Sequence, residues 1–424
     1  MSAPASPLAG AGARLDATLA RGLRRITGSA LAPYQAAIVR IGFALTFTVF
    51  LLREWPNRSE LYGDTSPWSI DLARRLIATN DAFTVLIWSD SRLWFEVVYH
   101  GAILAGVLLL LGWRTRTASV LFMIGVLSVQ NRSVFMGDGG DNVVHLMAIY
   151  LVFVRCGQVW SLDARRARRA AGQDPADPVA GAVNDKVGMA LWSLCGALLL
   201  VAHASGFADL PFFDQEGLLP LMGWGLLLWG LWALHGVRWC LDRYYPRSQA
   251  RGVFQIMGNL IHNGAMVVIV IEVCLIYSTA GWYKIQGSRW QDGTASYYPF
   301  NLDYFNPWPE VTDVLSASGL LIMLFTYGTV MVQVAFPFTL FNRKVKNVLL
   351  VLMMAEHAGI AVLMGLPFFS LAMISADAVF LPTAFLVWSG ARTTTAVRRL
   401  TGTGSRPSTP TPPPADASKT VALG

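Results

Sequence analysis

Charge is what this chain has least of. Only 14% of its 424 residues are Asp, Glu, Lys or Arg, while 54% are hydrophobic. Soluble domains carry about 25% charged residues. So little polar surface cannot cover a soluble globule, and long uncharged runs point to lipid as the solvent. Cysteine is scarce too. The four cysteines, Cys156, Cys195, Cys240 and Cys274, lie in apolar runs or at their inner ends, which excludes a disulfide framework in the outer loops. There is no HExxH, no CxxC pair and no phosphate loop, so no metal site is expected. The net charge of +7 is not gathered into a basic patch interleaved with aromatics, which argues against a nucleic-acid partner. No cleavable signal pattern precedes the first apolar run, which is itself too long for a signal h-region.

What the chain does have is apolar runs. A span needs about 20 mostly apolar residues. Eight clear runs cover 34–52, 94–113, 187–206, 217–236, 254–281, 314–340, 348–366 and 370–390, and two shorter ones cover 117–129 and 143–154. The expected fold is therefore an all-α polytopic bundle of about ten spans. Alternating the loops from a cytoplasmic N-terminus puts Arg14, Arg21, Arg24, Arg25, Arg114, Arg116, Arg165, Arg166, Arg238, Arg243, Arg343, Lys344 and Lys346 on the inner side. The outer side then holds few basic residues and the acids Asp209, Asp214 and Glu216. This is the positive-inside pattern, and it places both termini in the cytoplasm of a multi-pass cell-membrane protein.

Three parts follow: a cytoplasmic lead over 1–32, a membrane domain over 33–390, and a Pro/Ser/Thr-rich tail over 391–424 that is expected to be disordered. The first outer loop is predicted to carry short surface helices at 72–77 and 83–88. The stretch 164–185 reads as a basic inner linker. The second outer loop, 281–313, is dense in Trp, Tyr and Phe, as an interfacial belt or a cavity mouth would be.

Charges inside a membrane are costly and are functional candidates by default. Arg40, Glu272, Glu356 and Asp377 all fall within runs, and so do or nearly do all six histidines. Glu356 and His357 are neighbours, so they point in different directions on a helix. The three carboxyls suggest a shared polar interior, including a proton path. Helix packing and carbonyl-bonded neutral histidines are the structural alternative.

Two outer-face constellations are more specific. One is Gln130-Asn131-Arg132, then Gly139-Gly140-Asp141-Asn142, then Trp160-Ser161-Leu162-Asp163. Asp141 and Asn142 suit a helix cap, and the glycine pair exposes backbone N–H groups. The other is Ala280-Gly281 with Lys284, followed by Trp290, Asp292 and Gly293-Thr294-Ala295. A lysine here is either a partly desolvated base or a snorkelling anchor.

Together these stretches resemble the HTTM domain, the membrane domain shared with vitamin K-dependent gamma-carboxylase. The stretch Phe336-Pro337-Phe338 to Arg343, with His357 and Phe368-Phe369-Ser370, resembles its C-terminal half, so the likeness covers 33–381. The pair of runs over 187–236 reads as an insertion relative to shorter members. The resemblance implies that Lys284 is a catalytic base on the outer face. It implies a reduced quinone as cofactor, which the lysine deprotonates, and an oxygenated quinone that takes a proton from a peptide glutamate before carboxylation. The family's functional histidine falls near Asp141, and His357 joins Lys284 and Asp141 as a catalytic candidate. Asn131, Arg132, Asn142, Trp290 and Asp292 are candidates for substrate contact. The partners so implied are the bilayer and a quinone or a secreted peptide. A proton-coupled transporter, or a non-catalytic partner in secreted-peptide maturation, is the alternative.

Overall fold

Helix is the only regular structure among residues 7–80, 82–173, 185–206 and 224–400, which are those the computed structural model describes. Of the tail expected over 391–424, residues 391–400 are helical instead, and 401–424, the acids Asp209, Asp214 and Glu216, and part of the inner linker lie outside the described residues.

The elements run α1 (Pro7–Gly28), α2 (Pro33–Glu54), α3 (Arg58–Tyr62), α4 (Ile70–Asn80), α5 (Arg92–Leu111), α6 (Thr115–Arg132), α7 (Gly139–Phe153), α8 (Leu162–Gln173) and α9 (Lys186–Ala204). Then come α10 (Trp224–Tyr244), α11 (Gln249–Gln286), α12 (Ser288–Gln291), α13 (Tyr297–Phe300), α14 (Pro309–Ser316), α15 (Gly319–Ala335), α16 (Arg343–Leu363), α17 (Pro367–Asp377) and α18 (Thr383–Leu400). Among the described residues, six helices are long and apolar enough to cross a bilayer: α2 with its extension to Tyr62, α5, α9, α11, α15 with its extension to Thr339, and α16. The chain is thus an all-helical protein with several membrane-compatible helices. The short runs at 117–129 and 143–154 are helical as α6 and α7, but α7 has 15 residues, or about 22 Å of rise.

Two expectations are corrected. The run 370–390 is not one helix: α17 ends at Asp377, a 3-10 turn covers Ala378–Phe380, and Leu381 is extended at ψ 137°. The cause is Pro382, which drives its preceding residue out of the α region. Residues 83–88 form no helix either. Thr84 donates its hydroxyl to Ser128 O and Val85 N–H donates to Ser128 Oγ, so this segment is bound to α6.

Residues 7–381 form one unit. Its core is built by α2, α5, α6, α7 and α17 around Phe43, Phe47, Phe122, Met123, Leu127, Met147 and Ala372. Close helix approach uses small residues, as is usual in membranes: Gly42 lies against Ser375 and Gly125 against Ala102. The inserted pair α9 and α10 is joined by a reciprocal clasp. The Trp192 and Trp232 rings stack 4.2 Å apart, and each indole N–H donates to the other's carbonyl at 3.0 Å. In the second unit, α18 carries Trp388 between Phe385 and Arg392.

Helix α11 has 38 residues, about 57 Å, far more than the hydrocarbon core of about 30 Å. Its early part grips the end of α1. Asn259 donates to Thr27 O, Asn263 donates to Ile26 O and Ser29 O, and His262 Nε2 meets Leu31 O at 2.8 Å. Ile26 and Thr27 carry carbonyls that the end of α1 leaves unsatisfied, and Ser29 and Leu31 lie in the turn that follows it. His262 is therefore the carbonyl-bonded structural histidine that the sequence allowed.

Candidate functional site

Lys284 lies 21 residues beyond Asn263 on one unbroken helix, a rise of about 31 Å, which is about one hydrocarbon thickness. Side chains on a helix lean toward its N-terminus, and the Lys284 side chain turns back along α11 to α15. Its amine donates to Gln333 Oε1 at 2.7 Å, and Gln333 Nε2 donates to Glu356 Oε1 on α16, also at 2.7 Å. An amine donor on one side and a carboxyl acceptor on the other set the amide's orientation, oxygen to the donor and nitrogen to the acceptor. The close approach is possible because Gly281, a turn before Lys284, packs directly on Val334. Trp290 covers the amine with its ring 5.3 Å away. Trp282 and Tyr283 are exposed.

Tyr277, His357 and Asp377 lie in the adjoining seam of α11, α16 and α17. The Asp377 carboxyl is 0% exposed and the Tyr277 side chain 1%. The phenol lies beside the carboxyl, yet at no geometry that qualifies as a hydrogen bond. The hydroxyl and both carboxyl oxygens are buried without a partner. His357 is buried, bonded through Nδ1 to Met353 O at 2.9 Å, stacked on Phe369 and edge-on to Tyr277. It and Glu356 do diverge: Glu356 faces α15 and His357 faces α11 and α17. Glu272 is half-buried and faces Tyr150 of α7.

The other candidates are engaged in architecture. Arg40 is fully buried and donates to Trp160 O at 2.7 Å. Asp163 caps α6 from a distance, accepting from Arg114 N, Thr115 N and the Thr115 hydroxyl. Arg132 donates to Trp68 O and Gly63 O, and Asn131 to Phe83 O, so both pin the first loop to α6. Asp138 and Asp141 form a capping box at α7. Asp141 also accepts from Gln130, whose amide oxygen meets His145 Nδ1. Asn142 is exposed at this helix start. Asp292 is exposed and closes a turn with Thr294. The Thr294 hydroxyl, with Arg289 nearby, holds its carboxyl below the usual range. A cleft of about 210 Å³ lies under the first loop, lined by Tyr62, Ser66, Ser69, Ser91 and Arg132 among others.

No protein-family model matches the chain, no curated protein matches its sequence, and no solved structure matches its fold. Of the predicted catalytic set, then, the contacts gather Lys284 with Trp290 and Glu356. They place His357 behind Glu356 and give Asp141 to the cap of α7. No group of three or more metal-ligating side chains converges among the described residues. Sequence inspection missed Gln333 and Tyr277. A glutamine inside an apolar run was a readable signal, since intramembrane polar groups need partners.

Proposed function

We propose that this is a membrane protein of the HTTM, gamma-carboxylase-like type, in which Lys284 is a base at the outer boundary acting on a weakly acidic lipid-soluble or peptide substrate. The observation that carries this is the direction of the lysine. A snorkelling anchor sends its ammonium to water. Here the amine points inward, to Gln333 and through it to Glu356. Ten spans with both ends inside belong to the same proposal, supported by the charge alternation and by the rise of about 31 Å from the α1 clasp to Lys284 along α11.

A reduced quinone suits this donor set. Lys284 is the proton acceptor its hydroxyl needs, and Trp290, Trp282 and Tyr283 are aromatic neighbours at the lipid boundary. When bound, such a ring would supply reactivity toward oxygen. The chain's own part is to hold the proton: Lys284 takes it, Gln333 keeps the amine in place, and Glu356 balances the ammonium so formed.

The test is a mass-spectrometric comparison of secreted peptides and membrane lipids from cells with wild type or Lys284→Ala, at matched protein levels. A product that vanishes with the lysine is expected, and a mass difference of carbon dioxide identifies carboxylation. Unchanged profiles would remove Lys284 as a base. A second reading, proton-coupled transport, is favoured by the continuation of polar groups past Glu356 to Tyr277 and Asp377. Gradient-driven uptake by reconstituted vesicles that survives Lys284→Ala but fails in Glu356→Gln would select it.

A further inference from the structure

The polar groups of the membrane domain divide by whether their partners are present. Lys284, Gln333 and Glu356 satisfy one another. Arg40 gives one N–H to a carbonyl while its Nε and Nη1 stay unpartnered, and His262 has two backbone partners. Asp377 differs. Its carboxyl is fully buried at the end of α17, and neither oxygen accepts a hydrogen bond. A carboxylate bare of donors in an apolar interior is among the costliest groups a protein can bury, and it neutralises instead. Neutralisation requires a proton or a metal cation. A cation needs several converging oxygens. The Tyr277 hydroxyl is the side-chain oxygen beside the carboxyl, and Ser370 is seven residues up the same helix, about 10 Å away.

Charged groups on the surrounding helices are directed elsewhere. Arg40 of α2 turns to Trp160. Lys346 of α16 donates to Phe380 O, capping the 3-10 turn that follows Asp377. Asp141 and His145 of α7 are bonded to Gln130. Glu272 of α11 faces Tyr150. Glu356 of α16 holds Gln333, and His357 holds Met353 O. The group beside Asp377 is the Tyr277 hydroxyl, itself buried and unpartnered.

We propose that Asp377 is a proton-binding site, a neutral carboxylic acid in the membrane interior, and that the Tyr277 hydroxyl beside it is the group through which its proton exchanges. In the exchange step the Asp377 O–H bond breaks as its proton passes to the phenol oxygen. The phenol's own proton leaves to water, so the tyrosine ends neutral and the carboxyl stays charged until the reverse step returns a proton. This concerns the interior seam and holds whether or not Lys284 is a base.

Infrared spectroscopy of the full chain in lipid vesicles tests it without turnover. A protonated-carboxyl stretch is expected at neutral pH. It should shift on labelling with carboxyl-¹³C aspartate, vanish in Asp377→Asn, and persist in Lys284→Ala and Asp141→Asn. Tyr277→Phe should keep the band and slow its shift in heavy water. The isotope shift needs no variant, so a folding failure of Asp377→Asn leaves the test intact. No aspartate-derived band, or one that persists in Asp377→Asn, would overturn the site. A band abolished by added sodium at constant pH would make it a cation site instead. Exchange that is unchanged in Tyr277→Phe would overturn the route.

Discussion

Replacing Gln333 by Leu tests whether the seam between α11, α15 and α16 is held by its amide. Leucine is one bond shorter than glutamine, so a small cavity adds to the loss of the polar contacts and the cycle below separates the two. Two hydrogen bonds of 2.7 Å are lost, each to an ionisable partner. In water-soluble interiors, bonds to charged groups contribute about 1.5–3 kcal/mol each. Between helices in a membrane the measured couplings are smaller, about 0.6 kcal/mol on average and at most about 1.7, because the unfolded chain also finds partners there. The two bonds together are therefore expected to stabilise the unit by about 1–3 kcal/mol, the lower figure applying if Lys284 and Glu356 swing together and pair directly. Unfolding of the purified chain in mixed micelles measures this. A double-mutant cycle of Gln333→Leu with Glu356→Gln then separates the amide–carboxyl bond. Glu356→Gln should be partly masked once Gln333 is gone. Additivity within about 0.3–0.5 kcal/mol would mean no coupling, and the inward lysine would be a packing accident.

Three further outcomes follow from other contacts. Gly112 has φ +69°, and a Cβ there would sit 2.3 Å from Arg40 Nη1 and 2.4 Å from Ser161 Cβ. Gly112→Ala should thus cost about 1–2 kcal/mol for the left-handed backbone and about 1–3 for overpacking, read as lost thermal stability. Arg132→Met should leave the Gly63 and Trp68 carbonyls without their donor, at about 1–3 kcal/mol each, and hydrogen exchange should rise over residues 63–69 while the α2 core stays protected. Asp185 accepts the Arg114 fork, which holds its carboxyl below the usual range. Its support of α9 is therefore complete above the ordinary carboxylate value and is lost as pH falls through the lowered one. Exchange in the first turn of α9 should increase over that acid window, and Asp185→Asn should abolish the pH dependence.

The helices and their order were legible because lipid forces backbone satisfaction within each segment, so every apolar run had to be a helix. Two kinds of feature were not. Helix breaks inside an apolar run depend on single residues, and Pro382 divided a run whose hydropathy is uniform. Non-helical backbone under the first loop was hidden because its partners are side chains distant in sequence. Thr84 and Val85 find Ser128, and nothing local in 83–88 announces that pairing.

The motifs behave differently from the runs, and the difference is physical. A polar residue at a membrane boundary is needed either to satisfy backbone or to do chemistry, and the sequence shows only that it is polar. Asn131 and Arg132 spend their hydrogen bonds on backbone groups in the structure, as do Asp163 apart from the Thr115 hydroxyl and Asp141 apart from its weaker bond to Gln130. Their spacing therefore encodes how loops close. Lys284 spends its bond on another side chain, which spends its own on a third. A lysine needed only to end a helix requires no glutamine and no glutamate in matching places on two other helices. The three-residue match across α11, α15 and α16 is what separates Lys284 from the architectural set, and it could be read only once the helices were side by side.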